Sequence, residues 1–220
     1  MAGKKRSFDS RVDYSVILPT FFLLLIGLVA IYIATANDYP HNVANVMTQQ
    51  VVWIGLGSFI AFIVMLFSAE VLWKLTPFFY VLGLGLMILP LIFYSPGLVA
   101  STGAKNWVTI GSVTLFQPSE FMKISYILVL AKTTVWFQQK VRQTSFKQDF
   151  QLLGLYALLT LPIMVLLGLQ KDFGTAMVFM AILAGTVLLS GVSWWIILPV
   201  IGLAALAVGV FMTVFLMPNG

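Results

Sequence analysis

The sequence predicts an all-α polytopic membrane protein. Of its 220 residues 60% are hydrophobic and only 9% are charged, against about 25% charged in an ordinary soluble domain. Its apolar runs reach the roughly 20 residues that a helix needs to cross a bilayer. Runs such as Phe21–Ile33 are apolar on every face, which argues against a barrel strand with its two-residue alternation. Intrinsic disorder, which needs low hydrophobicity and high charge, is excluded. With no cysteine and one histidine, His41, so are a disulfide scaffold, a thiolate metal site and a multi-histidine centre.

Seven stretches qualify as spans: Val16–Ala36, Gln50–Phe67, Pro77–Ile92, Pro118–Val135, Leu152–Leu169, Thr175–Leu189 and Trp195–Phe215. The first has a basic flank (Lys4, Lys5, Arg6), but its apolar core is too long for a signal peptide and it is read as a retained helix. Residues 1–15 then form a cytoplasmic tail, and 16–220 a single transmembrane domain. With the N-terminus inside, Lys4, Lys5, Arg6, Arg11, Lys74, Lys132, Lys140, Arg142 and Lys147 fall on the inner side. Lys105 and Lys171 fall outside, and Lys123 lies within a span. That bias fixes the expected orientation, and it reads the net charge of +5 as membrane topology, not nucleic-acid binding. The basic Lys140–Lys147 stretch is expected to meet anionic inner-leaflet lipid. Ala205 and Gly209 have a spacing that favours close helix packing. The closing Met217-Pro218-Asn219-Gly220 reads as the start of a loop, so the chain is expected to stop partway through a larger architecture.

Two polar clusters flank helix starts on the expected outer side. In the first, Trp107–Ile110 and Val113–Phe116 surround Gly111-Ser112, the pattern of a short hairpin with a primed turn. Pro118 suits the first helical position. Gln117 then becomes the N-cap and Glu120 the third residue of a capping-box-like start. Lys123 stands three residues on, beside Glu120 on one helix face. The pair reads either as a structural ion bridge or as charges facing a cavity that receives an anionic headgroup. In the second cluster, Gln170-Lys171-Asp172-Phe173-Gly174-Thr175, Asp172 either caps the sixth span, with Gly174 easing the turn, or lines the same cavity. A lysine beside paired carboxylates suits pyrophosphate or sugar recognition.

Gly103-Ala104-Lys105-Asn106-Trp107-Val108, followed by Gln117-Pro118-Ser119-Glu120 and Lys123, resembles the characteristic motif of the SEDS family (shape, elongation, division and sporulation). Gln170-Lys171-Asp172-Phe173-Gly174-Thr175 resembles that family's Gln-Pro-Asp-Leu-Gly-Thr. There are two departures. Asn106 stands where the family has Arg, so that a bidentate guanidinium is lost and Lys105 replaces only its charge. Lys171 stands where the family has Pro.

The resemblance implies a bundle of about ten helices, of which this chain would be the first part. It implies a peptidoglycan glycosyltransferase that polymerises lipid II, an undecaprenyl-pyrophosphate-linked disaccharide-pentapeptide, beside a class B penicillin-binding protein. Carried over residue by residue, Lys105, Trp107, Glu120, Lys123 and Asp172 would bind substrate. A divalent cation, Mg or Mn, would help stabilise the pyrophosphate. The family's Asp base is expected beyond Gly220, so these residues alone are expected to be inactive. A lipid-linked precursor transporter, and a non-enzymatic scaffold for a penicillin-binding protein, are the alternative readings. Besides lipid II and the transpeptidase the expected partner is membrane lipid, with no nucleic acid.

Overall fold

The computed structural model describes residues 13–38, 40–111, 113–141 and 145–199. It is helical apart from one hairpin. Helices α1 (Tyr14–Asp38), α2 (Val43–Leu66) and α3 (Ala69–Ile92) are followed by the short α4 (Pro96–Thr102). Strands β1 (Val108–Ile110) and β2 (Val113–Phe116) come next, then α5 (Pro118–Lys140), α6 (Phe146–Gln170) and α7 (Phe173–Leu189). Residues 194–199 are helical where the expected span Trp195–Phe215 begins. The rest of that span, with Ala205 and Gly209, lies outside the described residues. Among the described residues, Tyr14–Asp38, Pro40–Leu66, Ala69–Ile92 and Phe146–Gln170 are long and apolar enough to cross a membrane. Helix α5 carries more charge, and α7 is shorter.

The chain divides into two compact units, residues 1–72 and 73–220. In the first, α1 packs on α2, and neither helix buries a residue. Apart from Asn45, Thr48, Gln49 and Gln50 at the start of α2, both are apolar on every face over most of their length, the composition of helices solvated by lipid.

In the second unit, α5, α6 and α7 pack on one another around Met87, Met122, Tyr126, Tyr156, Ile163 and Phe179, all nearly inaccessible. In lipid, apolar burial gains nothing from leaving water, so packing and interhelical hydrogen bonds must hold the helices together. The buried tyrosines do both. The Tyr126 hydroxyl lies 2.6 Å from Thr160 Oγ1 and that of Tyr156 lies 2.6 Å from Thr134 Oγ1. The Tyr126 and Phe179 rings meet at 5.4 Å.

Three of the expected starts move. Helix α3 begins at Ala69, eight residues before Pro77, although proline was read as a start. A proline within a helix lacks the N–H that its i−4 carbonyl needs and crowds the preceding turn. Such prolines persist in membrane helices where neighbours satisfy the freed groups. Lys132 Nζ on α5 donates to the carbonyl of Trp73, four residues before Pro77, at 2.7 Å. Gln170 Nε2 on α6 donates to Met87, three residues before Pro90, at 2.6 Å. The Tyr80 hydroxyl donates to Leu159, three residues before Pro162, at 2.5 Å. In α3 and α6 each of these three proline-disturbed turns thus receives a side-chain donor from another helix, and both helices run on unbroken. Helices α2 and α6 likewise start at Val43 and Phe146, earlier than their apolar runs.

Candidate functional site

The hairpin forms as expected, antiparallel, with Ile110 opposite Val113 and a register shift between Val108 and Thr109. Gly111 takes φ +62, the sign a primed turn requires at its first central residue. Ser112 lies outside the described residues. Thr109 N–H donates to Phe93 O at 3.0 Å, tying the hairpin to the end of α3. Trp107 and Phe116 are exposed to the same degree.

The segment before the hairpin is set by Gly103, whose φ of +76 ends α4 in the left-handed conformation. Lys105 N–H then donates to Gln170 O at 2.8 Å. Its ammonium lies 4.3 Å from the centre of the Tyr94 ring, a cation–π distance. Asn106 Nδ2 donates to Asp172 Oδ2 at 2.8 Å. The other amide atom, Asn106 Oδ1, is buried without a partner.

Asp172 is placed by the end of α6. Lys171 adopts φ +58, the one non-glycine with positive φ among the described residues. Its N–H donates to Gly168 O at 3.1 Å, and Asp172 N–H reaches Leu167 O at 3.0 Å. These are the paired bonds of a Schellman ending. The left-handed residue is therefore Lys171, and Gly174, expected to ease the turn, lies within the first turn of α7. Asp172 is only 7% exposed. It caps α7, Oδ1 accepting Thr175 N–H at 3.1 Å. Oδ2 accepts Thr175 Oγ1 at 2.8 Å, Asn106 Nδ2, and Gln117 Nε2 at 3.3 Å. A buried carboxylate without donors would be costly. Here four neutral donors, from the Asn106 loop and the starts of α5 and α7, meet it.

The capping box at α5 does not form. Gln117 is the N-cap and Pro118 follows it, but the Gln117 side chain makes no capping bond. Its amide nitrogen is a donor, whereas an N-cap needs an acceptor, and it turns to Asp172 and to Thr175 Oγ1 at 3.4 Å. Glu120 pairs instead with Lys123, at 2.8 Å. The Glu120 side chain is 61% exposed and that of Lys123 25%, so this bridge is open and weak, worth under about 1 kcal/mol.

The five residues expected at the site thus fall into two groupings. Glu120 and Lys123 pair with each other. Asp172 is joined to the loop that carries Lys105 and Trp107, through Asn106 and Gln170. Among the described residues no hydrogen bond or ion pair links Asp172 to Glu120 or Lys123. Asn106, read from sequence as a departure from the family, and Gln117, read as an N-cap, were not expected to meet Asp172; Gln170 and Thr175 were given no role, although all four lie inside the two motifs. Gln170, 1% exposed, joins α3, α6 and the Lys105 loop. No three His, Asp or Glu side chains converge as metal ligands among the described residues. The oxygens of Asp172 are already taken by donors, so these residues do not by themselves make a cation site.

Residues 14–219 match the family described as cell cycle proteins that comprises FtsW, RodA and SpoVE. The chain belongs to this SEDS family. It is 29% identical over 200 residues to the probable peptidoglycan glycosyltransferase FtsW of Nitrosomonas europaea, covering 87% of this chain and 49% of that protein. It is 30% identical over 173 residues to the peptidoglycan glycosyltransferase RodA of Treponema pallidum, covering 79% and 37%. It is 29% identical over 199 residues to the stage V sporulation protein E of Bacillus subtilis, covering 87% and 52%. The chain therefore spans about half the length, or less, of these relatives. No solved structure matches. A SEDS chain with several membrane-length apolar helices is a multi-pass protein of the cell membrane.

Proposed function

We propose that this SEDS chain forms the headgroup-binding part of a peptidoglycan glycosyltransferase that polymerises lipid II for cell elongation, shape and division. The observation that carries the reading is the joining of the two family motifs at Asp172, with donors from residues 55 and 66 positions away in the sequence. In this reading the N-terminus is inside, the seven spans cross in turn, and both motifs face outward. Lys123 leaves Glu120 to meet the pyrophosphate, Lys105 and Trp107 border the headgroup, and Asp172 holds the loop and both helix starts in register.

The chemistry asked of such a site is displacement at an anomeric carbon. An acceptor sugar hydroxyl loses its proton to a base and attacks, and the polyprenyl pyrophosphate departs. Cations at the leaving group lower that barrier because they meet charge where it develops. Lysines of this chain suit that task. By the family likeness a class B penicillin-binding protein cross-links the product. The residues named here are binding groups, so retention of lipid II is the activity they are expected to show.

Labelled lipid II added to the chain in nanodiscs tests this. Binding should survive an excess of neutral lipid and fall at least tenfold in Lys123→Gln, with the fold unchanged. Equal binding by the wild type and Lys123→Gln would overturn the reading.

A further inference from the structure

The far end of α5 and the start of α6 flank an open, mostly apolar groove with a cation at its rim, away from the motifs. It has a volume of about 500 Å³ and is lined by Trp136, Lys140, Gln151, Gly154 and Leu155, with Phe137 and Val141 closing its end. Trp136 and Lys140 are one turn apart on α5, and the Lys140 ammonium lies 5.1 Å from the Trp136 ring centre. Gln151, Gly154 and Leu155 share one face of α6 by their spacing. A side chain at Gly154 would meet nothing within 4 Å, so the floor of the groove is hollow. The same face of α6 continues through Leu158, Leu161 and Val165, all exposed, as an apolar lane. The carboxylate of this region, Asp149, lies on the opposite face of α6, where its Oδ2 accepts Ser193 N–H at 3.1 Å. In the sequence Arg142 follows α5, and Lys147 stands in the first turn of α6.

We propose that this groove holds one anionic phospholipid. Its phosphodiester sits between Lys140 and Gln151, its glycerol against Trp136, and one acyl chain over Gly154 along Leu158 and Leu161. The charge is complementary, since the groove offers a cation and an amide donor and no carboxylate. A cation that served only the C-terminal dipole of α5 would need neither the hollow floor nor the apolar lane beyond it.

Native mass spectrometry of the chain from micelles containing equal phosphatidylglycerol and phosphatidylcholine of matched acyl length tests the proposal. The wild type should carry phosphatidylglycerol in excess. Lys140→Gln should lower that preference about fivefold, as about 1 kcal/mol per basic residue near an anionic surface implies, and Lys140→Arg should keep it. Gly154→Leu should remove both lipids, and Lys147→Gln should change the ratio less than twofold. Circular dichroism checks that each variant keeps its helices. An unchanged ratio in Lys140→Gln, an equal fall in Lys147→Gln, or a second copy of the chain in place of lipid on the wild type would each overturn it.

Discussion

Lys132 Nζ donates at 2.7 Å to the carbonyl of Trp73, the acceptor that Pro77 leaves without its helical partner. The relationship explains how a proline sits inside α3 and why a lysine lies on a half-buried stretch of α5. Replacing Lys132 by Met should cost about 1–2 kcal/mol, the usual scale for stranding a polar group or losing an interhelical bond in a membrane. In a Pro77→Ala background the restored N–H reclaims the Trp73 carbonyl, and most of that cost should vanish. Unfolding in mixed micelles, run as a double-mutant cycle, measures the coupling. Strict additivity would rule out the assignment.

The donors around Asp172 make a second prediction. Thr175→Val removes the 2.8 Å hydroxyl bond and should cost about 1–2 kcal/mol, while Thr175→Ser should cost much less. Asp172→Asn should cost more than either, because it turns one of the two oxygens that four donors share into a donor. Thermal melts in detergent give the order. A melt of Asp172→Asn indistinguishable from wild type would show that the carboxylate does not hold these segments.

How much of this was legible in the sequence depends on range. The apolar helices follow from composition, and the hairpin from two β-branched runs around Gly111-Ser112. The pairing of Glu120 with Lys123 follows from a three-residue spacing. What escaped is long-range. Lys132 and Trp73 lie 59 positions apart, so Pro77 alone reads as a helix start. The donor role of Gln117 is set by Asp172, 55 positions on, and no local pattern foretells it. Helix α4 is a single short segment whose start, Ser95-Pro96-Gly97, reads as a turn.

Lys171 supplies a third test. A left-handed non-glycine residue costs roughly 1–2 kcal/mol, so Lys171→Gly should stabilise the chain by about 1 kcal/mol. Lys171→Pro should do the reverse. Its ring cannot take φ +58, and it deletes the N–H that reaches Gly168. Comparing the three melting temperatures decides the matter, and a Pro variant as stable as wild type would mean that α6 can end differently at no cost.

The last prediction concerns how closely α3 approaches α5. A Cβ on Gly83 would stand 2.5 Å from Met122 Sδ and 3.6 Å from both Met122 Cα and Phe121 Cδ1. Met122 is fully buried, yet its thioether is the softest neighbour such a Cβ could meet. Gly83→Ala should therefore cost only about 1 kcal/mol, as the methionine swings aside. Gly83→Leu cannot be absorbed that way and should cost about 3 kcal/mol or more, since overpacking forces backbones apart. The displaced backbone would be the turn of α5 that holds Glu120 and Lys123 on either side of Met122, so the larger variant should also weaken lipid II retention. Trimming the partner discriminates sterics from helix propensity. Met122→Ala creates a void that the alanine at position 83 partly fills, so the double variant should be more stable than the two single costs predict. If the costs simply add, the close approach at Gly83 is not what limits the packing of these helices.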